Sequence, residues 1–189
     1  VEGYSILDAA CGLGRCGYFL RTSSYKRPSY LVGIDLFLPN LEFVRKHRVY
    51  DDIVQCDVSY LPFKDDSYDT VIASEVLEHL EKERGSDCLG ELERVGSKKV
   101  ILLTPQHPSE REGFATPVGF NPYEAHVSKW SLNELWSLGY RVYGAGFRFS
   151  HLFGKYQVAV DLVAGYFFYK FPQLASVFIA VKRLPKHSK

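Results

Sequence analysis

The chain alternates short, β-rich apolar runs with stretches of helical periodicity. Apolar runs of strand length, flanked by polar or turn-forming residues, cover positions 5–10, 30–35, 52–57, 68–74, 98–104, 140–146 and 177–182. Helical patterns follow at 38–47 and at about 75–83, and Ser131 opens a further helix with Glu134 as the partner of a capping box. Strands that alternate with helices are typical of an α/β fold. We therefore predict a doubly wound, mainly parallel sheet of seven strands with helices on both faces.

The pattern changes after Pro105, which ends the fifth strand run. Prolines and glycines interrupt positions 106–128 repeatedly, and this spacing predicts a long loop or lid. Connections longer than about 12–15 residues inside a compact domain usually have a functional role. We expect a single domain over residues 1–189. Residues 1–104 would form a cofactor-binding half, and residues 105–189 would hold the lid, the acceptor region and the last strands.

Composition and charge narrow the class of protein. The 189 residues carry a formal net charge of +1, with 46% hydrophobic and 24% charged residues, which fits a globular domain. Near-neutrality argues against a protein that wraps nucleic acid. The chain has no Met and begins at Val1 almost at the first strand, so we expect it to be part of a longer protein.

The cysteines and the most apolar stretch indicate the protein's cellular compartment and whether it has a transmembrane segment. The four cysteines form no CxxC pair and no metal-binding spacing, which predicts reduced thiols, a cytoplasmic protein and no metal site. The most apolar stretch, 158–181, is interrupted by Asp161, Lys170 and Pro172. Because a spanning helix needs roughly 18 or more apolar residues, we expect no transmembrane segment, while peripheral membrane contact stays open.

A glycine-rich turn after the first strand is the main candidate for ligand binding. Gly12, Gly14 and Gly17 form a G-x-G-x-x-G pattern, and Asp35 follows some twenty residues later. This pattern is typical of dinucleotide binding, in which the acid accepts ribose hydroxyls. However, Asp8 lies at the mouth of the same turn, where its charge would oppose a pyrophosphate. S-adenosylmethionine carries an ammonium and a sulfonium instead of phosphates, so Asp8 favours that cofactor over NAD.

The ordered motifs resemble those of the class I S-adenosylmethionine-dependent methyltransferases, which have a Rossmann-like fold. Positions 6–14, 33–36, 55–63 and 68–79 are similar to the family's first to fourth motifs, and positions 91–95 resemble the helix before strand five. The chain departs from the family at Ala10, where glycine is usual, and at Gly96-Ser97, where the family has two glycines. The resemblance covers about residues 5–104.

The resemblance implies a cofactor site and its residues. S-adenosylmethionine would bind there, donate its methyl group and leave as S-adenosylhomocysteine. Asp35 would bind the ribose hydroxyls, Asp57 and Val58 would meet the adenine, and the end of the fourth strand would lie beside the methionine portion. The implied cofactor-binding set is Asp8, Ala10, Cys11, Gly12, Gly14, Asp35, Leu36, Asp57, Val58, Ser74 and Glu75.

Methyl transfer needs alignment and desolvation, and it needs a general base only when the acceptor must lose a proton. The candidate bases are His79, His107 and His126, since imidazoles are neutral near pH 7. His79 follows the fourth strand closely, whereas His107 and His126 fall in the predicted lid. We take His79 and His126 as the catalytic candidates, with helix-surface or loop roles as the alternatives.

Aromatic residues are concentrated in the C-terminal part. Eleven Phe and Tyr residues lie between positions 140 and 171: Tyr140, Tyr143, Phe147, Phe149, Phe153, Tyr156, Tyr166, Phe167, Phe168, Tyr169 and Phe171. They build the core over the sheet, form an apolar acceptor site, or form a surface that meets lipid or another protein. The Asn-Pro-Pro-Tyr and Pro-Cys motifs, which relatives use on amino groups and on cytosine, are absent. We therefore expect a small-molecule or lipid-like acceptor rather than nucleic acid in general, with a protein or tRNA substrate as the alternative.

The sequence thus predicts a methyltransferase that acts on oxygen, nitrogen or carbon of a small or moderately apolar acceptor. A methyltransferase-like binding or scaffold protein that has lost catalysis is the main alternative. An NAD-dependent oxidoreductase is a further one, because it shares the glycine pattern.

Overall fold

The computed structural model describes residues 4–22, 27–108, 112–147 and 169–185. Within these ranges, seven strands form one sheet and two others form a separate hairpin. In chain order the strands are β1 (Ser5–Ala9), β2 (Tyr30–Asp35), β3 (Asp52–Gln55), β4 (Tyr68–Ser74), β5 (Gly96–Pro105), β6 (Phe114–Thr116), β7 (Gly119–Asn121), β8 (Arg141–Phe147) and β9 (Ala175–Arg183). The hairpin consists of β6 and β7.

The order of the strands in the sheet is β3-β2-β1-β4-β5-β9-β8. The first five strands of this order run parallel, and β9 is antiparallel to both β5 and β8. The order reverses between β1 and β4, so a crevice opens beyond the carboxyl ends of these two strands. The predicted mainly parallel seven-stranded sheet is confirmed, and its switch point lies directly after Asp8.

Helices cover both faces of the sheet. The α-helices are α1 (Arg15–Thr22), α2 (Leu38–Lys46), α3 (Lys82–Val95) and α4 (Leu132–Ser137). Alternate residues of β1 belong to different cores: Ile6 packs in one cluster with Leu41 of α2, and Leu7 packs in the other with Leu92 of α3. This alternation follows from the period of two along a strand, and it gives the doubly wound arrangement that the sequence predicts.

The prediction of a helix at about 75–83 is wrong. Glu75 adopts a left-handed backbone with φ of 58°, and only a short 3-10 turn, Leu77–His79, follows it. Residue 75 therefore cannot continue into an α-helix, which starts at Lys82 instead. The periodic signal for this helix lies further along the chain, in its buried residues Gly85, Cys88, Leu89, Leu92 and Val95.

Other boundaries follow the sequence closely. The strands predicted at 30–35 and 68–74 are confirmed, and the capping box of Ser131 and Glu134 is present at the start of α4. The predicted loop 106–128 contains the β6–β7 hairpin and a 3-10 turn, Pro122–Glu124, so its described part is more ordered than expected.

Only part of the aromatic segment lies within the described residues. Tyr140 is buried, and its hydroxyl donates to Glu93 Oε1 at 3.0 Å. Tyr143 stacks on Tyr169 with ring centroids 4.4 Å apart. Six of the eleven aromatics (positions 149, 153, 156 and 166–168) lie outside the described residues. No helix in the described ranges has both the length and the apolar composition to cross a bilayer.

Candidate active site

The turn between β1 and α1 is built on left-handed backbone. Ala10, Gly12 and Gly14 have φ values of 54°, 54° and 79°. A Cβ on Gly14 would lie 2.9 Å from Cγ1 of Val44, whereas a Cβ on Gly12 would meet no atom of the described residues within 4 Å. Gly14 is therefore required for packing against α2. Gly12 leaves the main chain open to a ligand. Ala10 adopts a left-handed conformation that favours glycine, which agrees with the glycine usual at this position in the family.

Asp35 holds this turn against the end of β2. Its Oδ2 accepts a hydrogen bond from the Gly12 main-chain N–H at 2.8 Å, and its Oδ1 accepts one from Phe37 N–H at 2.8 Å. Burial raises the pKa of Asp35, and these hydrogen bonds oppose the rise. One carboxylate thus fixes the glycine turn and also faces the cavity beside it.

Asp8 is the second buried carboxylate, with 1% of its surface exposed. Its Oδ2 accepts a hydrogen bond from the Tyr50 hydroxyl at 2.6 Å. The Tyr50 ring fits because Gly17 and Gly33 carry no side chain, since a Cβ there would lie 2.5 and 2.8 Å from the ring. Burial raises the pKa of Asp8 to about 6, although the Tyr50 hydrogen bond lowers it. Asp8 is therefore mainly ionised at pH 7.

Two cavities meet at the glycine turn. The narrow cavity has a volume of about 120 Å³ and the wide cavity about 680 Å³, and both are lined by Ala10, Gly12, Glu75 and Glu124. The predicted cofactor residues that line one or both cavities are Asp8, Ala10, Cys11, Gly12, Asp35, Leu36, Asp57, Val58, Ser74 and Glu75. Gly14 lines neither cavity. A third, open cavity of about 600 Å³ near Tyr60 and Gly90 contains none of these residues.

Several lining residues carry no motif that would reveal them. Asn40 of α2 lines the wide cavity, and its buried Oδ1 has no hydrogen-bond partner among the described residues. Asn121, Tyr123 and Glu124 reach the narrow cavity from the segment predicted as a lid. Pro122 indicates a turn here, and the aromatic ring of Tyr123 could wall an acceptor pocket, but no pattern in the sequence connects Asn121 or Glu124 with the site.

Asp57 lies on the narrow cavity with both carboxylate oxygens already bound. Its Oδ1 accepts from the Ser59 main-chain N–H at 2.9 Å, and its Oδ2 forms an ion pair with Arg84. Val58, which is buried beside it, offers an apolar surface to the same cavity. The structure thus gives Asp57 a structural partner in addition to the adenine contact that the resemblance implies.

The two catalytic candidates lie side by side. The rings of His79 and His126 have centroids 4.9 Å apart. Nδ1 of His79 is 3.0 Å from the Ala125 carbonyl, and its Nε2 is 3.8 Å from Glu124 Oε2. His79 lines the narrow cavity, whereas His126 lines neither cavity. His107, the third candidate, is exposed after the end of β5.

Glu78 is a buried carboxyl group that the sequence reasoning did not single out. Thr104 Oγ1 donates to its Oε2 at 3.1 Å. Burial and the negative charge of nearby Glu75 hold the pKa of Glu78 well above its usual range. The fourth-strand motif includes Glu78, but no pattern in the sequence shows that its side chain points into the protein.

The fold and the site define a class I methyltransferase, and the comparisons with known proteins agree. A family model described as a methyltransferase domain matches residues 7–104, which is more than half of the chain. The chain belongs to this family, and the resemblance inferred from its motifs is confirmed. A demethylmenaquinone methyltransferase of Clavibacter sepedonicus is 34% identical over 120 residues, which cover 60% of this chain and 47% of that protein. The chain therefore spans about half the length of this curated relative.

Solved structures with the same fold include two methyltransferases. One is a Haloferax volcanii protein described as a methyltransferase, in complex with the Trm112 activator; it has a TM-score of 0.64 and 16% identity, covering 100% of this chain and 85% of that one. The other is magnesium protoporphyrin IX methyltransferase from Synechocystis with bound S-adenosylmethionine, with a TM-score of 0.58 and 15% identity, covering 97% of this chain and 71% of that one. At these identities the likeness establishes the fold.

Proposed function

We propose that the chain binds S-adenosylmethionine at the glycine turn and transfers its methyl group to a small or moderately apolar acceptor. The observation that carries the proposal is the open main chain at Gly12 between the buried carboxylates of Asp8 and Asp35. The negative charge of Asp8 beside the turn opposes a pyrophosphate and suits a ligand with a sulfonium and an ammonium. Asp8 therefore argues against the NAD alternative, whereas Asp35 would accept ribose hydroxyls from either cofactor.

The residues around the two cavities would hold the parts of this cofactor. Asp35 would accept from the ribose hydroxyls, Leu36 and Val58 would pack on the adenine, and Asp8 would face the ammonium. The buried Oδ1 of Asn40, which has no hydrogen-bond partner in the ranges that the structure describes, supports a ligand that brings a hydrogen-bond donor into the wide cavity. The bound cofactor supplies a methyl group already activated by its sulfonium, so the chain's own work is alignment and exclusion of water.

Exposed aromatic side chains beside the wide cavity support an apolar acceptor. Phe19 of α1 is 68% exposed and Phe114 of β6 is 51% exposed, and both line this cavity. Exposed aromatics at a concave site typically mark a ligand surface. The Clavibacter sepedonicus relative and the Synechocystis enzyme act, by their names, on demethylmenaquinone and on magnesium protoporphyrin IX. These acceptors support an apolar, lipid-like acceptor here.

His79 would serve as the general base when the acceptor must lose a proton. The Ala125 carbonyl can only accept, so Nδ1 of His79 carries the hydrogen and Nε2 of the neutral ring carries the lone pair. Nε2 can then accept a proton from an acceptor atom in the narrow cavity.

No step of this proposal requires a metal ion. All four cysteines are free thiols, which supports a cytoplasmic site for the activity.

Transfer of a labelled methyl group into fractionated cell extract tests this proposal. We expect the label in the solvent-extractable fraction of lipids and small molecules, and we expect Gly12→Ala to abolish it. Gly90→Ala is the matched control, because its Cβ would also meet no atom within 4 Å in the part of the chain that the structure describes, and Gly90 lines neither cavity. Label in the protein fraction would contradict the acceptor class. Cofactor binding without any transfer would favour a catalytically silent binding protein.

A further inference from the structure

Three side chains with metal-binding atoms lie together beside the narrow cavity. One ligand atom from each of Glu78, His79 and His126 lies within 4.8 Å of the other two. Ligand atoms bonded to a common ion at roughly 2.0–2.2 Å are themselves about 3–3.5 Å apart in a tetrahedral site. Small side-chain rotations would therefore bring this cluster onto one ion.

The main chain holds His126 against His79. The N–H groups of Val127 and Ser128 both donate to the carbonyl of Glu78, at 2.9 and 3.2 Å. These bonds attach the segment after the hairpin to the 3-10 turn that carries two of the three side chains. The two imidazoles, 47 positions apart in the sequence, are thus placed side by side by the fold.

The hydrogen bond of His79 suits it to coordinate a metal. Its Nδ1–H donates to the Ala125 carbonyl at 3.0 Å, which fixes the tautomer and makes Nε2 the nitrogen that would coordinate the ion, so His79 would not act as the general base while an ion is bound. Metal-binding histidines almost always donate their other ring N–H to a carbonyl, a carboxylate or water in this way. Nε2 also lies 3.8 Å from Glu124 Oε2. A proton that pairs His79 with Glu124 would therefore compete with a metal ion for Nε2.

Glu78 supplies the buried carboxyl group of the cluster. Its side chain is fully buried, Oε2 is bound by Thr104, and Oε1 has no hydrogen-bond partner in the part of the chain that the structure describes. A buried carboxylate oxygen without a partner is costly, and a bound cation would compensate for it. Glu75 adds further negative potential at this point.

We propose that Glu78, His79 and His126 bind one divalent first-row transition-metal ion. Two imidazoles with a carboxylate favour Zn²⁺, Co²⁺, Fe²⁺ or Mn²⁺ over Mg²⁺ and Ca²⁺, which prefer oxygen ligands only. Three protein ligands leave coordination positions open, and His79 places one side of the site on the narrow cavity. The sequence-based expectation of no metal depended on cysteine spacing, and no cysteine takes part in this site.

Titration of the chelator-treated chain with Co²⁺, followed by visible absorption, tests the site without any methyl donor. We expect one equivalent to bind with a saturable d–d spectrum, and Zn²⁺ to displace it. Glu78→Gln and His126→Ala each remove one ligand and should weaken binding at least about tenfold. His47→Ala is the matched control: His47 is exposed at the end of α2, stacked on Phe43, and its loss should change the affinity less than about twofold.

Absence of saturable Co²⁺ binding in the millimolar range would overturn the proposal and would leave a proton as the occupant. Binding that Glu78→Gln and His126→Ala leave unchanged, or that His47→Ala removes, would also overturn it. His126 is only partly buried, so His126→Ala keeps the test valid if Glu78→Gln does not fold. S-adenosylmethionine binding is measured separately in the presence of chelator, so failure of the metal site and failure of the proposed function give different results.

Discussion

At the scale of single residues, Gly12 and Gly14 have different roles although they lie in one turn. Both have left-handed main chains, which costs an alanine about 1–2 kcal/mol. Only at Gly14 would the new methyl group also collide, with Val44 at 2.9 Å, and overpacking typically costs a further 1–3 kcal/mol or so. One position therefore serves folding and the other serves the ligand.

We expect Gly14→Ala to lower the free energy of unfolding by about 2–4 kcal/mol and Gly12→Ala by only about 1–2 kcal/mol. The order reverses for the ligand, because a methyl group on Gly12 would occupy the space that the cofactor needs. Gly12→Ala should weaken S-adenosylmethionine binding at least about tenfold, equivalent to about 1.4 kcal/mol. Urea denaturation and isothermal titration measure the two effects. Unchanged cofactor affinity in Gly12→Ala would place the ligand elsewhere.

Asp8 gives cofactor binding a pH dependence. With its pKa raised to about 6, the carboxyl is about one-tenth ionised at pH 5 and about nine-tenths ionised at pH 7. Because the ionised form would face the ammonium, we expect S-adenosylmethionine affinity to rise about tenfold from pH 5 to pH 7. Asp8→Asn should bind more weakly and remove this dependence. If S-adenosylmethionine affinity still rises from pH 5 to pH 7 in Asp8→Asn, the pH dependence belongs to another titratable group.

The stability of the unliganded chain should change with pH in the opposite direction. The folded state holds the Asp8 proton more tightly than the unfolded chain, whose carboxyl has its ordinary pKa of 3.8. The contribution of Asp8 to the free energy of unfolding is therefore largest below about pH 4 and decreases as pH rises to about 6, by on the order of 3 kcal/mol. Comparing wild type with Asp8→Asn in urea at each pH isolates this contribution.

At the scale of elements, α3 fixes the segment that carries His126. A Cβ on Gly85 would lie 2.5 Å from the Trp130 ring, whose Nε1 donates to the Leu77 carbonyl at 3.2 Å. Close approach of the helix at Gly85 thus holds this segment on the turn that bears His79.

We expect Gly85→Ala to lower the free energy of unfolding by about 2 kcal/mol or more, because the Trp130 ring must move. Gly90→Ala lies on the same helix with no atom within 4 Å of its Cβ, and it should raise the free energy of unfolding by up to about 1 kcal/mol through helix propensity. Urea denaturation of both variants measures the difference. Equal stabilities would contradict the packing described for α3.

The sequence predicts a helix or strand correctly where a local pattern or a local interaction determines it. β2 and β4 are buried apolar runs bounded by polar residues, and the Ser131 capping box is a local interaction, so all three could be found. The helix after β4 could not be placed correctly, because the left-handed conformation of Glu75 depends on the surrounding fold. The β6–β7 hairpin escaped prediction because its strands have only three residues each.

At the scale of the whole molecule, residues 1–104 could be predicted better than residues 105–189. Asp8 and Asp35 lie at the carboxyl ends of two strands that the sequence predicts to be parallel, so the sequence alone places them at one edge of the sheet. Asn121 and Glu124 reach the same cavities from a remote segment, and no spacing rule connects them to Asp35. Glu78 lies in a recognisable motif, but its burial appears only when β5 brings Thr104 beside it.

The most direct measurement is isothermal titration of the chain with S-adenosylmethionine and, in parallel, with NAD. We predict saturable binding of S-adenosylmethionine alone. Asp35→Ala should weaken it by about tenfold or more, because hydrogen bonds to a charged group are worth about 1.5–3 kcal/mol each. Asp65→Ala, whose side chain is 75% exposed, should leave it unchanged. NAD binding that exceeds that of S-adenosylmethionine, or equal affinity in Asp35→Ala, would contradict the assignment of this site to a methyl donor.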